Sequence, residues 1–332
     1  MTQDTTLDFT MSFCRDKVPG LGEDSFCLDF CDRAGTAGLL GVFDGCGGAG
    51  ARKNDTYPGF PEYSGKTEAF MASRICAGVF YDEFRSVFPC GMSAADFAGQ
   101  HLAPLAVKKL QAFGPSNGDN GLQIKGTGVR SMPSTAAVAL IQHTGNGDTL
   151  VSAIWAGDSR VYVLDSYGLA QLTVDDTPVK DPLDNLYEDG VLQNVFCADK
   201  PVELHCSTFR IKGPFLVFSA TDGCFGYPST PMEFEGLLLA TLLHAKFPAE
   251  WEAGLADAIS AVSGDDHALC LASYGFGSFP AIQQEFSERF AYLNKYYLQH
   301  VSKLPVTDRE SRKKLWAYYR KGYARFIEDG LT

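Results

Sequence analysis

The sequence predicts an α+β fold in which two antiparallel sheets pack face to face with helices outside. Three observations carry this. Short β-rich runs separated by turn signals fill residues 134–173, as antiparallel strands do. Helical spacing of apolar residues occurs in separate blocks rather than between successive strands. Two apolar runs, Leu39 to Phe43 and Phe215 to Ala220, each lead to an Asp-Gly pair, Asp44-Gly45 and Asp222-Gly223. Such runs read as buried strands delivering a carboxylate to their ends, where glycine lets backbone and ligand approach closely. Two carboxylates brought together there need a cation or a proton to coexist.

In chain order, Asp8 to Cys14 and Ser25 to Phe30 carry aromatic, partly alternating patterns that suit strands. The loop between them, Arg15 to Gly22, contains Pro19-Gly20 and closes on adjacent acids, Glu23-Asp24. Ala49 to Tyr63 is polar, rich in Gly and Pro, and reads as loop. Helices are expected over Thr67 to Phe88 and Ser93 to Phe113, the second opened by a Ser93 to Asp96 capping pattern and kinked or split by Pro104. Residues 114–128 are glycine-rich and read as a surface connector.

Thr135 to Gln142, Thr149 to Ala156, Arg160 to Leu164 and Leu169 to Thr173 read as one antiparallel meander. Its turns are Gly145-Asn146-Gly147-Asp148, Gly157-Asp158-Ser159 and Asp165-Ser166-Tyr167-Gly168. Residues 174–200 are acidic and turn-rich, as in an active-site flap or surface loop. Thr230-Pro231-Met232-Glu233 opens a helix to about Lys246, with another from Ala249 to Val262. Gly264-Asp265-Asp266 then puts a third carboxylate at a strand end, before His267 to Tyr274. In the tail, Phe286, Phe290, Leu293, Tyr297 and Val301 form one helical stripe. Leu315, Tyr319, Tyr323 and Phe326 form another after Pro305, so two amphipathic helices are expected to pack on the body of the chain.

The 332 residues, 45% hydrophobic and 20% charged, suffice for a large buried core. No apolar stretch reaches the roughly 18 to 20 residues of a membrane span, and Met1 to Thr5 lacks a basic leader, so a cytoplasmic protein is expected. A net charge of −12 argues against nucleic-acid binding. The ten cysteines have neither CxxC pairs nor zinc-site spacing and read as buried thiols, Cys46 apart.

Taken together, several motifs resemble those of the metal-dependent, type 2C Ser/Thr protein phosphatases, in the family's order, from about residue 8 to 276. They are Glu23-Asp24-Ser25, Gly41-Val42-Phe43-Asp44-Gly45-x-Gly47-Gly48, Ser134-Thr135-Ala136 and Ala156-Gly157-Asp158-Ser159-Arg160, followed by Leu172-Thr173-x-Asp175-Asp176-x-Pro178, Ser219-Ala220-Thr221-Asp222-Gly223 and Asp265-Asp266. The resemblance implies an αββα sandwich with two magnesium or manganese ions at one end of the sheets. It implies a catalytic domain over 1–276; the amphipathic C-terminal helices of 277–332 are then an addition packed on it, with a regulatory partner at those helices as the alternative. By the same resemblance Asp44 bridges the ions, the Gly45 carbonyl is a ligand, and Asp222 and Asp265 are the remaining carboxylate ligands. Glu23 matches an acid holding metal-bound water, Asp24 a supporting acid, and Asp158 the ligand of a third, looser ion. Hard oxygen donors suit magnesium or manganese. Two such ions about 4 Å apart activate a bridging hydroxide for in-line attack, implying hydrolysis of phosphoserine and phosphothreonine in proteins.

The sequence departs from the family pattern at three places. Cys46 stands where the family carries a proton-donating histidine. Pro19 stands where the family carries a phosphate-binding arginine, leaving Arg15 as the nearest candidate, and Gly22 replaces an asparagine. These departures motivate an alternative, a catalytically weakened phosphatase fold that binds phosphoproteins or partners.

Overall fold

The structure, a computed structural model, describes residues 6–54, 57–88, 92–113, 130–144, 148–188 and 190–327. The expected connector at 114–128, the Gly145-Asn146-Gly147 turn, Met1 to Thr5 and Cys90 lie outside the described residues.

The strands in chain order are β1 (Leu7–Arg15), β2 (Ser25–Phe30), β3 (Ala37–Phe43), β4 (Ala136–His143), β5 (Thr149–Ala156), β6 (Arg160–Asp165), β7 (Gly168–Gln171), β8 (His205–Ile211), β9 (Phe215–Ala220) and β10 (His267–Tyr274). They form two five-stranded sheets, ordered β1-β10-β9-β6-β7 and β2-β3-β4-β5-β8, and every pairing is antiparallel. Successive side chains of a strand face opposite ways. On β3, Leu40 and Val42 therefore join Ala137, Ala139, Val161, Val163 and Val217 between the sheets. Leu39 and Phe43 face outward beneath helix α1 (Glu68–Ser86). With both faces covered, β3 is apolar throughout instead of alternating.

α1 starts where the Thr67 hydroxyl accepts the Phe70 N–H at 3.1 Å. It covers one sheet with α2 (Ala103–Phe113). The disruption expected at Pro104 sits just upstream, where Phe97–Leu102 form a π-helical segment. Pro104 lacks an N–H and its ring excludes the carbonyl four residues back, and the wider turn accommodates both. The other sheet is covered by α3 (Pro231–His244) and α4 (Pro248–Ser260).

The run 134–173 is not one meander. β4 pairs with β5 in one sheet and β6 with β7 in the other. The Gly157-Asp158-Ser159 turn carries the chain between sheets, with Gly157 at φ +103° and its Cα against the Thr135 side chain. β8 has no counterpart in the sequence expectations. It is an edge strand on β5, and its polar run His205-Cys206-Ser207-Thr208 gives little apolar signal.

The tail forms α5 (Phe279–Leu293), a π-helical continuation over Asn294–Leu298, and α6 (Arg309–Tyr323). Phe286, Leu293, Tyr297, Val301, Trp316, Tyr319 and Tyr323 share one core with Leu238, Leu239 and Leu242 of α3. Beneath them the buried Glu235 carboxylate accepts from Arg289 at 2.7 and 2.8 Å and from the Tyr319 hydroxyl at 2.5 Å. Phe326 reaches back to pack edge-on against Phe209 of β8. Among the described residues, no helix is long and apolar enough to cross a membrane.

Candidate active site

Strand register brings the acids together. Ser25 pairs with Phe43, so Glu23 and Asp24 lie beside Asp44 at one end of the β2-β3 hairpin. Ala220 pairs with both Arg160 and Leu269, so Asp158, Asp222 and Asp265 gather at the same end of the opposite sheet. The result is a cleft of about 510 Å³ lined by Glu23, Asp44, Asp158, Asp222, Asp265 and Asp266, with Cys46 and Arg130 among them.

The backbone around these acids is clamped. Thr135 accepts the Asp44 N–H through its hydroxyl at 3.2 Å and donates its own N–H to the Asp44 carbonyl at 2.8 Å. Gly45 is required for close packing, since a Cβ there would sit 2.4 Å from the Ala69 carbonyl oxygen. Gly223 is more constrained still, at 1.9 Å from the Asp266 carbonyl oxygen. Glu23 is held through its carboxylate by the Thr67 hydroxyl and through its N–H by Asp266 Oδ2 at 2.8 Å. Asp266 Oδ1 accepts the Lys17 N–H at 2.7 Å, so both oxygens of this acid tie the β1-β2 loop to the start of β10. Asp265 is exposed, and its Oδ1 accepts the Asp266 N–H at 2.9 Å.

The cluster is electrostatically costly. Burial raises the Asp44 carboxyl well above the usual range, and the neighbouring charges of Asp24, Asp222, Asp158 and Asp265 raise it further. Burial and Asp222 do the same to Asp158. Asp222 is pushed up to about 6, first by burial and then by Asp265. Asp158 Oδ1 is buried without a hydrogen-bond partner. Such a group calls for a cation or a proton.

The chemistry of this set suits an oxygen-ligated divalent cation, because the acids are hard donors and one of their oxygens is orphaned. Among the described residues, no group of three His, Cys, Asp or Glu side chains forms a ready-made ligand set around one point.

The remaining expected site residues fall differently. Asp24 is buried behind the cleft, accepting the Thr221 hydroxyl at 2.7 Å, and burial holds its carboxyl well above the usual range. Cys46 lines the cleft, its Sγ 3.9 Å from the Asp44 carbonyl oxygen, and burial followed by the charge of Asp44 pushes the thiol well up. His267, two residues beyond Asp265 and not among the expected site residues, faces away from the cleft, bonded to Ser260 Oγ at 2.9 Å and to the Asp265 carbonyl at 3.2 Å. Arg15 is exposed at the end of edge strand β1 and does not line the cleft.

Two features of the cleft lie outside the sequence expectations. One is Arg130, whose Nη2 donates to the Leu192 and Gln193 carbonyls at 3.2 and 3.4 Å. Its only sequence signal is a lone Arg four residues before Ser134-Thr135. The other is the anchoring of the flap, whose Gly190, Val191, Leu192 and Val195 form an apolar wall. Asp176 accepts from Gly157 N–H at 3.0 Å, Asn194 Nδ2 at 2.7 Å and His205 Nε2 at 3.0 Å. Burial disfavours its charge, but these bonds outweigh burial and hold Asp176 below the usual carboxylate range. One carboxylate thus joins the Asp158 turn to the flap.

Two antiparallel five-stranded sheets flanked by helices make an αββα sandwich, the fold of the type 2C Ser/Thr phosphatases. A bacterial serine phosphatase superposes with a TM-score of 0.56 at 17% identity, over 80% of this chain and 97% of that one. Serine/threonine phosphatase Stp1 from Staphylococcus aureus gives 0.54 at 18% identity, over 82% and 97%. The catalytic domain of the serine threonine protein phosphatase PstP in complex with two manganese ions gives 0.50 at 16% identity, over 82% and 99%. No protein-family model and no curated protein sequence matches the chain.

Proposed function

We propose that this chain is a metal-dependent phosphatase that hydrolyses phosphoserine and phosphothreonine in proteins. The observation that carries it is the convergence of carboxylates from five separate chain segments, at 23, 44, 158, 222 and 265–266, on one cleft. A pure binding module has no need of like charges held together at such cost. Asp44, the Gly45 carbonyl, Asp222 and Asp265 would hold two magnesium or manganese ions, and Asp158 a third. When bound, such ions supply Lewis acidity toward the phosphoryl group and acidify water.

The chain's own groups orient and shield. Thr67 fixes Glu23, whose carboxylate would position water, and Thr135 fixes the main chain at Asp44. The flap residues Val191, Leu192 and Val195 line one side of the cleft. The phosphatase-like unit is assigned to 1–276 and the added segment to 277–332, of which α5 and α6 pack over α3.

The alternative, a weakened phosphatase fold, is favoured by one observation. Cys46 is a half-buried thiol in the cleft wall, and a thiol, ordinarily titrating at about 8.5 against about 6.5 for an imidazole, is the poorer general acid at neutral pH. This matters for alkyl phosphates, whose leaving alkoxide is strongly basic, and little for aryl phosphates. The test is hydrolysis of an aryl phosphate and of a phosphothreonine peptide, with and without manganese. We expect manganese-dependent turnover of both, the aryl ester faster. Absence of turnover on both, with the peptide still bound, would favour the binding module.

A further inference from the structure

The cleft that would receive a phosphoryl dianion is walled by carboxylates. Among the described lining residues, Arg130 is the one Lys or Arg side chain. Its main chain is fixed by an N–H to the Ala49 carbonyl at 3.4 Å, against the Cys46–Gly50 turn, which closes through Ala49 and Gly50 N–H groups on the Cys46 carbonyl at 3.0 and 2.9 Å. Two residues on, Met132 has φ 54°, and no other non-glycine residue among those described has a positive φ. Such a conformation is unfavourable for a residue with a side chain and persists only where its surroundings impose it. Here the buried Glu68 Oε2 accepts the Met132 N–H at 3.1 Å, and the Met132 side chain is fully buried. The turn sets the direction from which Arg130 enters the cleft.

The guanidinium is anchored at one nitrogen only. Nη2 donates to the two flap carbonyls, while Nη1 and Nε make no hydrogen bond to the described residues. A planar fork held at one corner, with further donors left for a ligand, suits two-point contact with phosphate oxygens. The exposed Arg15 has no such placement.

We propose that Arg130, aimed by the strained turn at Met132 and steadied by the Leu192 and Gln193 carbonyls, binds the phosphoryl group of the substrate. This rests on the phosphatase reading above. It assigns phosphate recognition to the segment before β4, not to the loop after β1. Neighbouring Val191 and Leu192 would then meet the residues that flank the phosphorylated side chain.

The test is calorimetric titration of inorganic phosphate into the manganese-loaded protein, together with steady-state kinetics on a phosphothreonine peptide. Wild type, Arg130→Ala, Arg130→Lys and Arg15→Ala are compared, with manganese binding measured for each. A charge-assisted hydrogen bond is worth about 1.5–3 kcal/mol, or roughly 10- to 100-fold. Arg130→Ala should therefore weaken phosphate binding and raise KM by about that factor while manganese binding persists. Arg130→Lys should recover part of the loss, since it keeps the charge and loses the fork. Unchanged phosphate affinity in both Arg130 variants, or a comparable loss in Arg15→Ala, would overturn the proposal. A wild type that binds phosphate without turning over peptide refutes the phosphatase reading, and the calorimetric comparison still decides the role of Arg130.

Discussion

Replacing Asp222 with Asn should abolish the proposed manganese-dependent turnover and make the metal-free protein more stable. Loss of even an outer partner of a metal ligand costs about 10- to 100-fold in affinity or activity, so loss of a direct ligand should cost at least that. The stability effect has the opposite sign because the acids are held together against burial and mutual repulsion. The Asp222 carboxyl lies at about 6 against an ordinary 3.8. The folded state therefore binds more protons than the unfolded state between these values, and stability falls as pH rises through that window. Below it the penalty is absent. Above it the penalty is complete and on the order of 3 kcal/mol, at about 1.4 kcal/mol per pKa unit. Asp44 and Asp158, raised in the same direction, add to the decline. Thermal melts of metal-free wild type and Asp222→Asn from pH 4 to 8 check this. The curves should converge at the acid end and separate at pH 8, with the variant melting higher.

Arg160→Met should be the most destabilising single change near the site. The guanidinium is 1% exposed and pairs with Asp175 through Nε at 3.0 Å and Nη2 at 2.6 Å. It lies over the Phe225 ring at 4.2 Å and donates to the Tyr323 hydroxyl of α6 at 3.4 Å. Breaking a buried pair on one side leaves the other charge uncompensated and costs about 3–5 kcal/mol. The bonds that Gln171 and Asn185 donate to Asp175 place the cost toward the lower figure. Because Arg160 follows the Asp158 turn by two residues, the variant should also bind manganese less tightly. Denaturant unfolding of Arg160→Met, Asp175→Leu and the double variant checks the first part. The double variant should lose less than the sum of the singles, since neither charge remains orphaned.

Much of this was legible in the sequence where one residue type had one physical job. Asp44 and Asp222 announce themselves because an apolar strand ends at an Asp-Gly pair, and Gly223 can only be Gly with the Asp266 carbonyl so near. The tail stripes were equally plain, since Phe286, Tyr297, Tyr319 and Tyr323 recur at helical spacing and are buried. What stayed hidden depends on partners distant in the chain. β8 owes its pairing to β5 and not to apolar content. The turn at Gly157 has the composition of any hairpin turn, yet it joins two sheets. Arg130 is a single exposed-type residue until Met132 and the flap carbonyls give it a direction.

The central claim is that the acid cluster is a divalent-cation site, and calorimetric titration of manganese into the metal-free protein tests it most directly. At pH 7.5 wild type should bind two ions tightly with release of protons, because carboxyls raised by burial must ionise to ligate. Asp44→Asn, which removes a carboxylate proposed to hold both ions, should lose both tight sites while remaining folded by circular dichroism. Equal manganese binding by wild type and Asp44→Asn, or none by either, would contradict the account.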